Sequence, residues 1–187
     1  PLPKHLDENE ACEALAPEKD VDGITRGSMA SIYSGKGAGF APCTAESCIE
    51  ILKYNGVEMS GKRAVVIGRS LVIGKPVAML LMANNATVTV CHSRTKDMPS
   101  VVKEADIVIA CLGRAEMITA DYFAPGQTVL DVGINWSEEK NKLVGDVAFD
   151  EVEPIVDAIT PVPGGVGPMT RAILMRNVLA AAPDHQK

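Results

Sequence analysis

Excess positive charge is the first thing this sequence lacks. Lys and Arg number 18 against 24 Asp and Glu, a formal net charge of −6. A general nucleic-acid binder draws its affinity from basic side chains that neutralise phosphates, so no nucleic-acid partner is expected. Long apolar runs are missing too. The longest, residues 77–83, is far too short to cross a bilayer, and the N-terminus has no basic flank followed by an apolar segment. Neither a membrane partner nor a signal peptide is expected. The five cysteines (Cys12, Cys43, Cys48, Cys91, Cys111) contain no CxxC pair and leave one unpaired in any disulfide scheme. A reduced, cytoplasmic compartment is the simplest reading. His5, His92 and His185 are scattered, with no HExxH and no clustered carboxylates, so no metal site is expected. Aromatic residues make up only 4% of the chain.

What is present is an apolar share of 47%, rich in Val, Ile and Ala, the ordinary composition of a soluble α/β protein. The 187 residues suffice for one core, or for one domain and part of another. The chain opens Pro1-Leu2-Pro3. Removal of a methionine before proline and a truncated start would each account for that.

Residues 7–15 read as a short helix opened by Asp7, and residues 17–43 as loop-rich, with glycine at 23, 27, 35, 37 and 39. Thr44 is placed as the N-cap of a helix with Glu46 in its first turn, Ala45, Cys48, Ile49 and Leu52 on one face, and Gly56 at its end. From Gly61 onward, β runs alternate with helices. The β runs are 64–67, 87–91, 107–111, 129–132 and, more weakly, 158–159; helices are expected at 76–83, 101–105, 120–123 and 169–181. The runs are apolar at successive residues, as in strands covered on both faces. Right-handed βαβ connections then give a doubly wound, Rossmann-like parallel sheet.

Ligands of such sheets sit beyond the carboxyl ends of the strands, which directs attention to the loop after the first one, VVIGRSLVIGKP at 65–76. Gly68 permits a sharp turn, Gly74 a close approach just before a helix, and exposed amides there favour a phosphate. The spacing is not GxGxxG. It is not a P-loop either, because five residues separate the glycines and Pro76 stands where a magnesium-binding hydroxyl belongs. The glycines alone are also compatible with a tight strand-to-helix turn that binds nothing.

The end of the second strand reads Cys91-His92-Ser93-Arg94-Thr95, with no carboxylate until Asp97. An NAD site places an acid there to hold the ribose hydroxyls, whereas a hydroxyl and a guanidinium suit a 2′-phosphate. Arg69 is expected near this position, because carboxyl ends of adjacent strands share one edge. The residues therefore favour NADP over NAD, although Arg69 and Arg94 are also compatible with solvated loop charges. His92 fits a loop histidine that touches cofactor or backbone better than an acid–base group.

The segments VVIGRSLVIGKPVAMLL, ATVTVCHSRT, VLDVGIN, VGDVAFDEV and ITPVPGGVGPMT, with PEKDVDG at 17–23 and PCT at 42–44, resemble the bifunctional methylenetetrahydrofolate dehydrogenase/cyclohydrolases. The resemblance runs from Pro1 to the last helix. It implies that Gly68, Arg69 and Ser70 contact the phosphates and ribose of NADP and that Ser93 binds the 2′-phosphate. Ile134 would lie on the nicotinamide side, with Thr170 near the cofactor. Asp22 would hydrogen-bond a pterin ring, and Pro163, Gly164 and Gly165 would form the wall against which a folate packs. The implied reactions are oxidation of 5,10-methylenetetrahydrofolate and hydrolysis of the methenyl product to 10-formyltetrahydrofolate, in one-carbon metabolism and commonly in a homodimer.

The resemblance divides the chain into the end of an N-terminal α/β catalytic lobe with its hinge (1–43), a nucleotide domain (44–167) and a C-terminal helix returning toward that lobe (168–187). It also places the proton-transferring lysine, with a nearby tyrosine, in a segment preceding Pro1; Lys4, Lys19, Lys36 and Tyr33 do not match that motif. No catalytic residue is therefore assigned within these residues. The segment ITRGSMASIYSGKGAG departs from the family pattern after DVDG. Two other readings stay open: a non-catalytic NADP-binding sensor or scaffold, and a different NADP oxidoreductase on the same fold.

Overall fold

Five apolar runs form one parallel sheet. In the computed structural model, which describes residues 5, 7–37 and 39–182, β1 (Arg63–Ile67), β2 (Thr87–Cys91), β3 (Ile107–Ala110), β4 (Thr128–Asp131) and β7 (Ala158–Ile159) lie in the order β2-β1-β3-β4-β7. Pro1, Leu2, Pro3, Lys4 and His185 lie outside the described residues.

Successive residues of a strand point to opposite faces. Here they feed two cores. Ala64, Val66, Ile107, Ile109 and Leu130 pack under α3 (Cys43–Tyr54), α4 (Gly74–Ala83) and the first residue of α7 (Val166–Ala181). Val65, Ile67, Val108 and Val129 pack on the other face, against Val102 of α5 (Met98–Lys103), Phe123 and Val152. Burial on both faces explains why Ala64–Ile67 of β1 and all of β3 are apolar at successive residues. β2 is an exception: as an edge strand it leaves Thr87, Thr89 and Val90 exposed, and its Thr/Val alternation fits one covered face.

Three local expectations are corrected. Residues 17–43 are not all loop: a 3-10 turn at Pro17–Lys19 is followed by helix α2 (Arg26–Ser34). Thr25 caps α2 by accepting the Ser28 N–H at 3.1 Å, and Gly35 ends it at φ 66°. The buried Asp20 carboxylate accepts from Ile24 N–H at 3.0 Å, Thr25 N–H at 2.7 Å and the Ser28 hydroxyl at 2.7 Å. Thr44 is not the cap of α3; Pro42 holds that position without a side-chain bond, and Thr44 lies inside the first turn. The helix expected at 120–123 is a 3-10 turn, Ala120–Tyr122.

Three elements between β4 and β7 were not anticipated. A β5–β6 hairpin (Asn135–Ser137, Lys142–Val144) and the short α6 (Phe149–Val152) fill the connection from β4 to β7. Helix α1 (Glu8–Ala14) falls where Asp7 was expected to open it, and α7 begins at Val166 rather than 169. Among the described residues, no helix is long and apolar enough to cross a membrane.

Candidate functional site

The glycines of the 68–74 loop are required by packing. Gly68 has φ 137°, and a Cβ there would lie 2.4 Å from the carbonyl oxygen of Cys111; a Cβ on Gly74 would lie 2.4 Å from the carbonyl oxygen of Gly68. The tight turn alone thus accounts for both residues. The ligand signal comes from the amides between them. Ser70 Oγ accepts from Ile73 N–H at 3.1 Å and Gly74 N–H at 3.3 Å, and Ser70 O accepts from Lys75 N–H at 3.0 Å. Ser70 therefore satisfies the first amides of α4 itself. The N–H groups of Arg69, Ser70, Leu71 and Val72 have no acceptor among the described residues, so the available donors belong to the loop and not to the helix terminus.

Gly68 N–H donates to Cys91 O at 2.9 Å, extending the Ile67–Cys91 register of β1 and β2. This bond sets Arg69 and the Ser93–Arg94 turn on one edge. All three are exposed, and neither guanidinium has an ion-pair partner among the described residues. Two guanidiniums, a hydroxyl and free amides form a phosphate-type donor set. His92 is a turn-former: its N–H donates to Thr95 Oγ1 at 2.9 Å, and its Nδ1 accepts Arg94 N–H at 3.2 Å.

Ile73, at the end of the 68–74 loop, also lines a cleft of about 740 Å³ that brings together Ile134, Pro163, Gly164, Gly165 and Thr170. Ile134 is 65% exposed, unusual for an isoleucine and fitting for the wall of a ligand site. Gly164 has φ 107° with open space where a side chain would stand, so backbone can approach a flat ring there. Gly165 instead closes the turn, its N–H donating to Pro161 O at 2.9 Å. Thr170 Oγ1 accepts from Ser47 Oγ at 3.2 Å and donates to Val166 O at 3.2 Å, pinning α7 on α3. Asp22 is exposed and is not among the residues lining the cleft; it sits beside the Cys43 thiol, one residue before Thr44, which does line it. Burial first, then the Asp22 hydrogen bond and charge, push the Cys43 thiol up to about 12.

Sequence reasoning missed two buried carboxylates under the floor. Asp146 is 0% exposed and accepts from the N–H groups of Leu112, Gly113 (2.9 Å) and Arg114 (2.8 Å) and from Asn135 Nδ2 at 2.9 Å. Asp131, 3% exposed, accepts from Gly133 N–H at 3.0 Å, Asp146 N–H at 3.0 Å and Val147 N–H at 2.9 Å. Burial pushes Asp131 up to about 6, against the pull of those three amides. The carboxylates also explain two motif glycines. A Cβ on Gly133 would fall 2.3 Å from Asp146 Oδ1, and one on Gly145 would fall 1.8 Å from Asp131 Oδ2. The signal was in VLDVGIN and VGDV, each an acid within two residues of a glycine.

The family model described as tetrahydrofolate dehydrogenase/cyclohydrolase, NAD(P)-binding domain, matches residues 42–186. The bifunctional protein FolD of Carboxydothermus hydrogenoformans is 54% identical over 97% of this chain. This chain spans 63% of that relative's length. Among solved structures, the bifunctional FolD dehydrogenase/cyclohydrolase from Campylobacter jejuni superposes with a TM-score of 0.93 at 41% identity, covering 97% of this chain and 64% of that one. The Trypanosoma brucei dehydrogenase-cyclohydrolase, solved with NADP cofactor and an inhibitor, gives 0.88 at 39% identity, over 97% of this chain and 64% of its own.

Proposed function

This chain belongs to the tetrahydrofolate dehydrogenase/cyclohydrolase family and carries its NAD(P)-binding domain, and from that premise we propose that the protein oxidises 5,10-methylenetetrahydrofolate with NADP and hydrolyses the methenyl product to 10-formyltetrahydrofolate. The observation that carries this reading is the Gly68–Cys91 hydrogen bond, which joins Arg69 to Ser93 and Arg94 beside the cleft walled by Pro163–Gly165.

In this reading the Arg69–Val72 amides, with Gly68 and Ser70, hold the cofactor phosphates, while Arg69, Ser93 and Arg94 select the 2′-phosphate. NADP, when bound, supplies the hydride acceptor for the methylene carbon. Ile134 and Pro163 present apolar surface that keeps water from the reacting face, and the open backbone at Gly164 admits the folate ring. Thr170 holds α7 in place against α3 on the cofactor side. Asp22 is assigned to the pterin from the edge of the cleft.

The hydrolytic step needs a proton-transferring group. We assign none of the residues described above to that role, so residues 1–187 by themselves should bind NADP and turn over little or no folate. A homodimer is part of the proposal. Supporting it are an apolar groove that includes Met29, Ile32 and Leu71 and the half-open edge strand β2, where Val90 is 38% exposed. We also place the protein in the cytoplasm, in keeping with its five unpaired cysteines, all free among the described residues. The test is formation of methenyltetrahydrofolate from the methylene compound by the full-length protein with NADP. Robust cyclohydrolase turnover by residues 1–187 alone would overturn the assignment of proton transfer elsewhere.

A further inference from the structure

Apart from Thr44 and Thr170, the cleft is lined by glycine and apolar residues and by two ionisable ones, Asp131 and Arg171. Asp131 is 3% exposed and spends its oxygens on three amides, so it presents little charge to a ligand. Arg171 is exposed, on the second turn of α7. Five residues further along, Arg176 pairs with Glu46 at 2.7 Å, whereas the Arg171 side chain has no ion-pair or hydrogen-bond partner among the described residues. An uncompensated guanidinium at the mouth of an apolar cleft offers its fork of donors to a bidentate anion, a phosphate or a carboxylate.

Both anions are available in the proposed reaction, one from cofactor and one from substrate. The phosphate-type donors already described cluster on the β2–β1 side of the sheet. Arg171 follows β7, at the opposite edge of the strand order, and lines the same cleft as Pro163 and Gly164, the residues given to the folate above. We infer that Arg171 is the anion-recognition residue of the substrate half of the cleft and takes a carboxylate of the glutamyl tail of a tetrahydrofolate. This rests on the folate reading above and adds to it the residue that distinguishes glutamylated from glutamate-free pterins.

The test compares Arg171→Ala, Arg171→Lys and the wild-type full-length protein with two substrates, 5,10-methylenetetrahydrofolate and the corresponding methylenetetrahydropteroate, which has no glutamate. Calorimetric binding of 5-formyltetrahydrofolate and 5-formyltetrahydropteroate runs in parallel. Loss of a charge-assisted pair should raise KM for the glutamylated substrate about 5- to 30-fold in Arg171→Ala. The KM ratio between the two substrates should collapse toward one, with Arg171→Lys intermediate and the KM for NADP within twofold of wild type. A KM rise equal for both substrates, or one confined to NADP, would overturn the inference while leaving the folate reading standing. If the wild type is inactive on both substrates, the folate reading of the reaction fails, and the calorimetric ratio still decides for or against Arg171. Binding of neither compound to the wild type would overturn both.

Discussion

Asp146 donates its backbone N–H to Asp131 Oδ1 at 3.0 Å, so two buried carboxylates stand in series beneath the cleft. Asp131 gathers amides from the segments at 133 and 146–147, and Asp146 those of the loop at 112–114 and the Asn135 side chain. Together they hold the loop that carries Ile134 against the loop following β3.

Replacing Asp146 with alanine would strand three backbone donors and one amide in the protein interior. An unmet buried donor costs about 1–3 kcal/mol, and the donors share one acceptor, so the total should be on the order of 3–5 kcal/mol. Urea unfolding measures it. A loss below about 1 kcal/mol would mean that the carboxylate does not organise these loops.

Gly133→Ala and Gly145→Ala should fail for the same reason, because each added methyl group would enter a carboxylate. Both should lower the midpoint of unfolding. Gly164→Ala meets no neighbouring atom but must adopt φ 107°, so it should cost about 1–2 kcal/mol by strain alone. Equal tolerance of all three substitutions would contradict the packing described.

The raised pKa of Asp131 makes a signed prediction. Its folded value of about 6 exceeds the ordinary 3.8, so between those pH values the folded state binds more protons than the unfolded one. The stabilising contribution is complete below about 3.8 and is lost as pH rises through about 6. Asp20, whose pKa is lowered by its Ser28, Thr25 and Ile24 hydrogen bonds against the desolvation that is its largest single influence, acts oppositely at lower pH. In urea melts from pH 4 to 7, wild type should therefore lose stability relative to Asp131→Asn, by on the order of 3 kcal/mol at most. A difference independent of pH would contradict the assignment.

Trp136 pairs with Leu143 across the β5–β6 hairpin, and Leu143 lines the cleft. As the chain's one tryptophan, 59% exposed, it should report ligand binding through its emission. Saturating NADP that leaves the spectrum of Trp136 unchanged would place the nicotinamide end away from Leu143.

The sheet was legible because Ala64–Ile67 of β1 and all of β3 are buried on both faces and apolar at successive positions. Even the two-residue β7 was readable at Ala158–Ile159. Helix α2 was not, because the glycines around it suggest loop, and only Thr25 before it and Gly35 after it mark its ends. Thr44 looked like a cap since residue type alone does not show that the helix begins at Cys43, directly after Pro42. For the site, Arg69 and Ser93 could be brought together in advance by strand adjacency alone. Asp131 and Asp146 could not: all their partners but Gly133 lie 11 to 34 residues away, which no local pattern reports. Arg171 was hidden for a similar reason, since its lack of a partner is visible only in three dimensions.

The most direct test of nucleotide selection at the β1–β2 edge is a calorimetric titration of NADP and of NAD into wild type and Arg69→Ala/Ser93→Ala. Loss of two contacts to the 2′-phosphate should weaken NADP about 30-fold or more and NAD less than about threefold. Equal weakening of both nucleotides would contradict the assignment of Arg69 and Ser93 to the 2′-phosphate.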